Sequence, residues 1–212
     1  MSQEIGKESC RVCRRKAIVE VWLLDLASYK SVCDFARRGN NELDRLDCVI
    51  ENAGISARGP RKVAEDNELI ITVNVISTFL LAILLLPALR RTANKFSTQP
   101  RLTVVASEVH GLTSFPERKS ENIFETLNID ESSAGLRRRY FVSKLLDVLT
   151  RELATRVGNA DGSAKDVIVN CLNPGACRTE LGREAGPILQ KLQHFVMPIV
   201  QRTSEVGSRA LV

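Results

Sequence analysis

Short apolar runs alternate along the chain with longer stretches in which apolar residues recur every three or four positions. That alternation predicts an α/β domain built on a parallel sheet. Residues 19–24, Val-Glu-Val-Trp-Leu-Leu, predict a strand that ends at Asp25. A helix over 28–38 follows, with Ser28 as its cap, because a serine oxygen accepts from an amide the helix leaves orphaned. Residues 46–50 predict the next strand, which stops in Asn52-Ala53-Gly54. A long helix covers about 65–92, and 102–106 predict a third strand running to Ser107. From 108 to 137 the pattern dissolves into polar residues around Pro116 and Gly135. Connections of that length are usually functional loops or lack order. A helix over 139–157 stops in a segment with Gly158 and Gly162, and 167–172 predict a fourth strand that runs into Asn173-Pro174-Gly175.

Composition works mainly by exclusion. Hydrophobic residues make up 44% and charged residues 26% of the 212, the ordinary balance of a single globular domain. The net charge of +5 arises partly from Arg11, Arg14, Arg15 and Lys16 and from Arg137, Arg138 and Arg139. These clusters carry no interleaved aromatic residues, so they predict solvated faces rather than a nucleic-acid partner. Of the six cysteines, Cys10 and Cys13 form one CxxC with no second pair at zinc spacing, and no metal site is expected. Cys48 and Cys171 stand in apolar runs and predict small core residues. The polar opening over 1–16 does not resemble a signal peptide, and a reducing, cytoplasmic setting is expected. The apolar run over 73–89 is broken by Asn74, Ser77, Thr78 and Pro87. It falls short of the roughly twenty continuous residues that a membrane span needs, so a buried or interface helix is expected.

The candidate chemistry gathers at strand ends. Asn52-Ala53-Gly54, Ser107 and Asn173-Pro174-Gly175 each follow a predicted strand, and ligands of open α/β sheets sit outside those ends. Tyr140 and Lys144 are spaced i, i+4 on a predicted helix and so share a face. A free phenol ionises near pH 10, too high for an efficient base at neutrality. An adjacent ammonium favours the phenolate, and the pair can then exchange a proton with a hydroxyl or carbonyl oxygen.

Five runs, taken in order, resemble the classical short-chain dehydrogenase/reductases, specifically the retinol-dehydrogenase-like kind found among fungal metabolic enzymes. They are Leu46-Asp-Cys-Val-Ile-Glu-Asn-Ala-Gly54, Thr72-Val-Asn-Val75 with Thr78-Phe-Leu-Leu81, Val104-Val-Ala-Ser107, Arg139-Tyr-Phe-Val-Ser-Lys144, and Asn173-Pro-Gly175 leading to Thr179. The likeness runs from about residue 19 to 212 and leaves 1–18 as a poorly matched leader of one Rossmann-like domain. It implies a doubly wound parallel sheet and an NADP- or NAD-dependent oxidoreductase acting on a small alcohol or carbonyl. Tyr140 would be the general acid/base, and Lys144 would tune it and bind the nicotinamide ribose. Ser107 would hydrogen-bond the reacting oxygen, and Asn74 would hold the active-site helix and a relay water. Asn52, Ala53 and Gly54 would line the adenosine side with Asp25 beside the adenine, while Pro174, Gly175 and Thr179 would contact the nicotinamide half. The 108–137 stretch would shape the substrate pocket, and a homodimer is implied.

The departures are equally specific. The glycine-rich TGxxxGxG turn that cradles the pyrophosphate in such enzymes does not occur in these 212 residues. The expectation is therefore an incomplete version of the fold, without its first two strands and its last strand. An active oxidoreductase and a non-catalytic paralogue or binding protein that kept the fold's core remain distinct readings, as does an incomplete gene model.

Overall fold

The structure is a computed structural model that describes residues 18–56, 61–129, 133–146, 148–157, 167–175, 177 and 202–211. Its centre is a parallel three-stranded sheet. Strands β1 (Cys48–Glu51), β4 (Arg101–Val105) and β5 (Ile168–Leu172) lie in the order β1-β4-β5. The register aligns Val49 with Leu102 and Leu102 with Val169, which sets these three apolar side chains on one face. A small antiparallel hairpin, β2 (Val63–Ala64) and β3 (Asn67–Glu68), precedes the long helix. Its turn residues Glu65 and Asp66 have positive φ, as a two-residue hairpin turn requires.

Helix α1 (Tyr29–Glu42) starts where predicted: Ser28 lies in extended backbone and its hydroxyl accepts from Ser31 N. Its inward stripe is Val32, Ala36 and Gly39. A side chain at Gly39 would meet Leu85 Cδ2 at 3.1 Å, so glycine lets α1 approach the long helix closely. That helix, α2 (Leu69–Phe96), is 28 residues long and apolar enough to cross a membrane by length and composition, but two thirds of its most apolar window is buried. Leu81 and Leu85 pack against Val32 and Ala36, while Ala82 and Leu89 pack against Leu102, Val157 and Val169. The hydropathy of the run therefore serves the core. Truncating a residue as enclosed as Leu89 (0% exposed) to alanine costs about 2–5 kcal/mol.

After β4 come two 3₁₀ turns, Glu108–Leu112 and Pro116–Lys119, and a short helix α3 (Ile123–Ile129). The stretch read from sequence as a structureless loop is thus largely helical up to 129. Its short, polar turns lack the long apolar period that marks a helix in sequence. It is fastened to the domain by a third cluster in which Ile71, Leu127 and Val142 are surrounded by Ile76, Phe115, Ile123 and Leu146. The helix expected over 139–157 is two helices, α4 (Ser133–Leu146) and α5 (Leu149–Val157), and α6 (Ser204–Ser208) follows β5.

Three other expectations change. Residues 19–24 alternate as a strand should, with Trp22 and Leu24 turned inward and Val19, Val21 and Leu23 exposed, yet among the described residues they pair with no strand. Between them and β1 lies a cavity of about 740 Å³ lined by Trp22, Leu24, Phe35, Leu46, Val49 and Leu81, among others. The separation leaves both backbones without a ladder partner on that side among the described residues. Cys48 and Cys171 are exposed rather than buried, because each lies on an edge strand of a narrow sheet. Arg139, read as part of a solvated cluster, is 0% exposed. It falls on the inward stripe of α4 with Val142 and Ser143, at the spacing i, i+3, i+4.

Candidate active site

The residues singled out at strand ends and on the two long helices converge on the carboxyl edge of the sheet. α2 is not a uniform helix: it opens as α-helix over Leu69–Ile71, widens to a π-helix over Thr72–Ser77 and returns to α-helix at Thr78. Wide turns of this kind are uncommon and frequently found at functional positions. This one carries Asn74, whose side chain is only 2% exposed. Asn74 Oδ1 accepts from Ile55 N at 2.8 Å, and its Nδ2 donates to Ile55 O at 2.9 Å and to Ser143 Oγ at 3.0 Å. The amide is therefore clamped between the turn that follows β1 and the helix α4. A side chain at Gly54 would come within 3.2 Å of Asn74 Oδ1, so the glycine of Asn52-Ala53-Gly54 is what admits this contact. Asn52 and Ala53 are exposed and line the cavity beside β1.

On α4, Ser143 Oγ donates a hydrogen bond to Tyr140 O at 2.8 Å, and Lys144 Nζ donates to Val105 O at 3.0 Å. The second bond pins α4 to the end of β4. Ser107, two residues beyond that end, caps the Glu108–Leu112 turn through its hydroxyl, which accepts from Val109 N at 3.4 Å. That turn packs directly on α4. Tyr140, Lys144, Ser107 and Asn74, drawn from three separate stretches of sequence, are thus carried by elements in mutual contact. Tyr140 is half-buried, with its ring centroid 6.3 Å from that of Phe141.

The remaining expected positions are more peripheral. Asp25 is exposed; its carboxylate accepts from Ala27 N at 2.9 Å and its own N–H donates to Ser31 Oγ at 2.9 Å, forming the turn into α1. After β5, Asn173 Oδ1 accepts from Gly175 N at 3.0 Å and Gly175 takes φ 77°, a conformation that favours glycine. Pro174 lies in this turn and accepts from Cys177 Sγ at 3.6 Å. Thr179 lies outside the described residues. No cluster of three or more metal-ligating side chains occurs among the described residues.

Two groups at this edge were not singled out from sequence. Ser143, three residues after Tyr140, is the partner of Asn74 and shares the inward stripe of α4 with Arg139 and Val142, a mixture that apolar periodicity does not mark. Glu51, the last residue of β1, buries both carboxylate oxygens without a hydrogen-bond partner among the described residues. That burial pushes its carboxyl up from 4.5 to about 8. Sequence alternation could not find it, because an acid at a strand end ordinarily faces solvent.

Comparison with known proteins bears on the family and the fold. The family model "short chain dehydrogenase" matches residues 2–99. The short chain dehydrogenase/reductase dmxR8 of Cryptosporiopsis sp. (strain 8999) is 46% identical over 199 residues, covering 92% of this chain and 59% of the relative. The short chain dehydrogenase atnD of Emericella nidulans is 41% identical over 209 residues, covering 97% and 64% respectively. The chain therefore spans somewhat under two thirds of the length of these relatives. Among solved structures, a short-chain dehydrogenase from Sphingobium yanoikuyae in complex with NADPH superposes with a TM-score of 0.58 at 21% identity, over 89% of this chain and 60% of that one. The Pseudomonas aeruginosa RhlG/NADP active-site complex gives 0.58 at 25% identity, over 89% and 66%. With its Rossmann-type parallel sheet, its five ordered runs and these relatives, the chain belongs to the short-chain dehydrogenase/reductase family.

Proposed function

We propose that this protein interconverts an alcohol and a ketone or aldehyde with NADP or NAD as the hydride carrier. The observation that carries the reading is the pinning of α4: Lys144 Nζ on Val105 O and Ser143 Oγ under Asn74 Nδ2 set Tyr140 at the carboxyl end of the sheet. The nicotinamide supplies or accepts hydride at the reacting carbon. The chain's own residues handle the oxygen. Tyr140 delivers a proton to it in reduction and removes one in oxidation, Lys144 favours the phenolate form, and Ser107 donates a hydrogen bond to the charge that develops.

The fit to the coenzyme is uneven along its length. Tyr140, Lys144 and the Asn173-Pro174-Gly175 turn, with the Gly54 approach to Asn74, suit the nicotinamide–ribose half. None of the 212 residues forms a TGxxxGxG turn, so none is assigned to the pyrophosphate. Asp25 is kept as the adenine-side group. A tailoring step in fungal secondary metabolism suits the company of fungal relatives, and the four described cysteines are free thiols, which suits a cytoplasmic setting. A homodimer joined along α2 is the proposed assembly, with Ile83 (52% exposed) on its open flank.

The test is carbonyl-dependent oxidation of NADPH or NADH by the purified protein over a panel of aldehydes and ketones. Turnover that survives Tyr140→Phe undiminished would overturn the assignment.

A further inference from the structure

Arg139 stands immediately before Tyr140, and its guanidinium is the largest fully buried side chain described in the protein. A buried guanidinium needs a physical reason, because removing it from water is expensive unless it is paired. An ion pair with one buried acid, with the charge of a second nearby, provides that reason. Glu117, 5% exposed, lies on the 3₁₀ turn Pro116–Lys119 and brings its Oε1 within 3.7 Å of Arg139 Nη1. Glu68, 2% exposed, is the cap of α2, where its Oε2 accepts from Ile70 N at 2.9 Å and from Ile71 N at 3.2 Å. Burial pushes the Glu68 carboxyl up, while those two amides and the charges of Arg139 and Arg61 draw it back.

Each acid is also tied to the substrate-side stretch. Glu117 is part of it, and Glu68 N donates to Asn128 Oδ1 at 2.7 Å on α3. The apolar cluster of Leu127, Phe115 and Ile123 with Ile71, Val142 and Leu146 runs through the same region. One cation thus lies where the helix bearing Tyr140 and Lys144, the start of the helix bearing Asn74, and the segment that follows Ser107 all meet.

We propose that Arg139 is a positioning residue: by pairing with Glu117 where α4 packs on the start of α2 it sets the rotation of α4, and hence the placing of Tyr140 and Lys144 relative to Ser107 and Asn74, according to how the 116–129 segment is seated. The inference rests on the functional reading above only for its kinetic consequence. The coupling it describes is a property of the folded chain. An apolar contact at position 139 would bury area without charge, whereas a guanidinium held 3.7 Å from the Glu117 carboxylate ties one position on α4 to the Pro116–Lys119 turn.

The chain has two tyrosines, Tyr29 and Tyr140, which makes the test direct. In a Tyr29→Phe background, tyrosinate absorbance titrates Tyr140 alone. Arg139→Met and Glu117→Gln are compared with the parent by this titration, by amide exchange of residues 116–129 and by thermal unfolding. The expectation is that both variants move the Tyr140 midpoint by about 0.5 or more, and that both speed exchange across 116–129. Arg139→Lys, which keeps the charge and loses the fork, should recover part of the shift. Where turnover is measurable, kcat should fall by up to ~10²-fold with KM within about twofold, as misplacement of a reacting group does.

Should Arg139→Met fail to fold, Glu117→Gln decides, since it removes only charge at a site on another element. A lowered melting temperature with an unmoved Tyr140 midpoint would mean a purely structural ion pair and would overturn the proposal. Retained turnover in Tyr140→Phe would instead overturn the functional reading and leave this coupling standing.

Discussion

Asn74 Nδ2 and Ser143 Oγ meet at 3.0 Å across 69 residues of sequence, both side chains essentially closed to solvent. Asn74 satisfies its whole amide in this way, two bonds to the backbone of Ile55 and one to Ser143. Replacing it by alanine leaves Ile55 N, Ile55 O and Ser143 Oγ without that partner. Asn74→Ala should therefore destabilise by about 2–3 kcal/mol, and Ser143→Ala by about 1 kcal/mol. Denaturant unfolding measures both, and equal effects would show that the Ile55 contacts contribute nothing.

At the reacting oxygen the chemistry divides between two hydroxyls. Tyr140→Phe should abolish turnover while circular dichroism and the unfolding midpoint stay near those of the parent. Ser107→Ala should lower kcat by roughly 10²-fold, because one preorganised donor to a developing oxyanion contributes about 3 kcal/mol. A Ser107→Ala enzyme with parental kcat would remove that residue from the site.

Glu51 sets a pH dependence whose sign is fixed by its burial. The unfolded carboxyl ionises near 4.5 and the folded one near 8. Between those values the unfolded chain has released a proton that the folded chain retains, so stability falls as pH rises through the window and levels off above it. The full effect has a ceiling of ~5 kcal/mol, reduced by whatever local relaxation or water reaches the carboxyl. Glu51→Gln should be more stable than the parent at about pH 8 and show a flatter profile. Parallel profiles for the two proteins from pH 5 to 8 would contradict this reading of the site.

Along β1 the backbone edge opposite β4 is unpaired among the described residues, and Ile18, Val19, Val21, Leu23 and Ile50 are exposed around it. Apolar edges of this kind associate. The 212-residue chain on its own should self-associate at micromolar concentration by light scattering, and Val21→Glu with Ile50→Lys should suppress it. The same chain should bind NADPH or NADH weakly or not at all, since its sequence contains no TGxxxGxG run to cradle a pyrophosphate. Cofactor fluorescence with clean micromolar saturation would show that another segment performs that role.

What the sequence by itself determined is the part written in local periodicity and short spacing. Alternating apolar runs specified the three sheet strands to within two residues. The Ser28 cap set the start of α1, and the i, i+4 spacing of Tyr140 and Lys144 put both on one helix before any packing was known. The family followed from motifs in order, since Asn-Ala-Gly, Ser107, Tyr140-x-x-x-Lys144 and Asn-Pro-Gly are each read within a few residues. Tertiary structure decided everything that depends on which surfaces meet. Residues 19–24 have strand alternation but no ladder, because pairing requires a second backbone within reach and a cavity intervenes. Arg139 stands in a run of three arginines that composition cannot tell apart, and only the arrival of Glu117 from another element gives its charge a reason to be buried. The clamping of Asn74 by Ile55 and Ser143 and the burial of the Glu51 carboxyl belong to the same class. Both are set by groups far apart in the chain, whose interaction free energies exist only once the fold has brought them together.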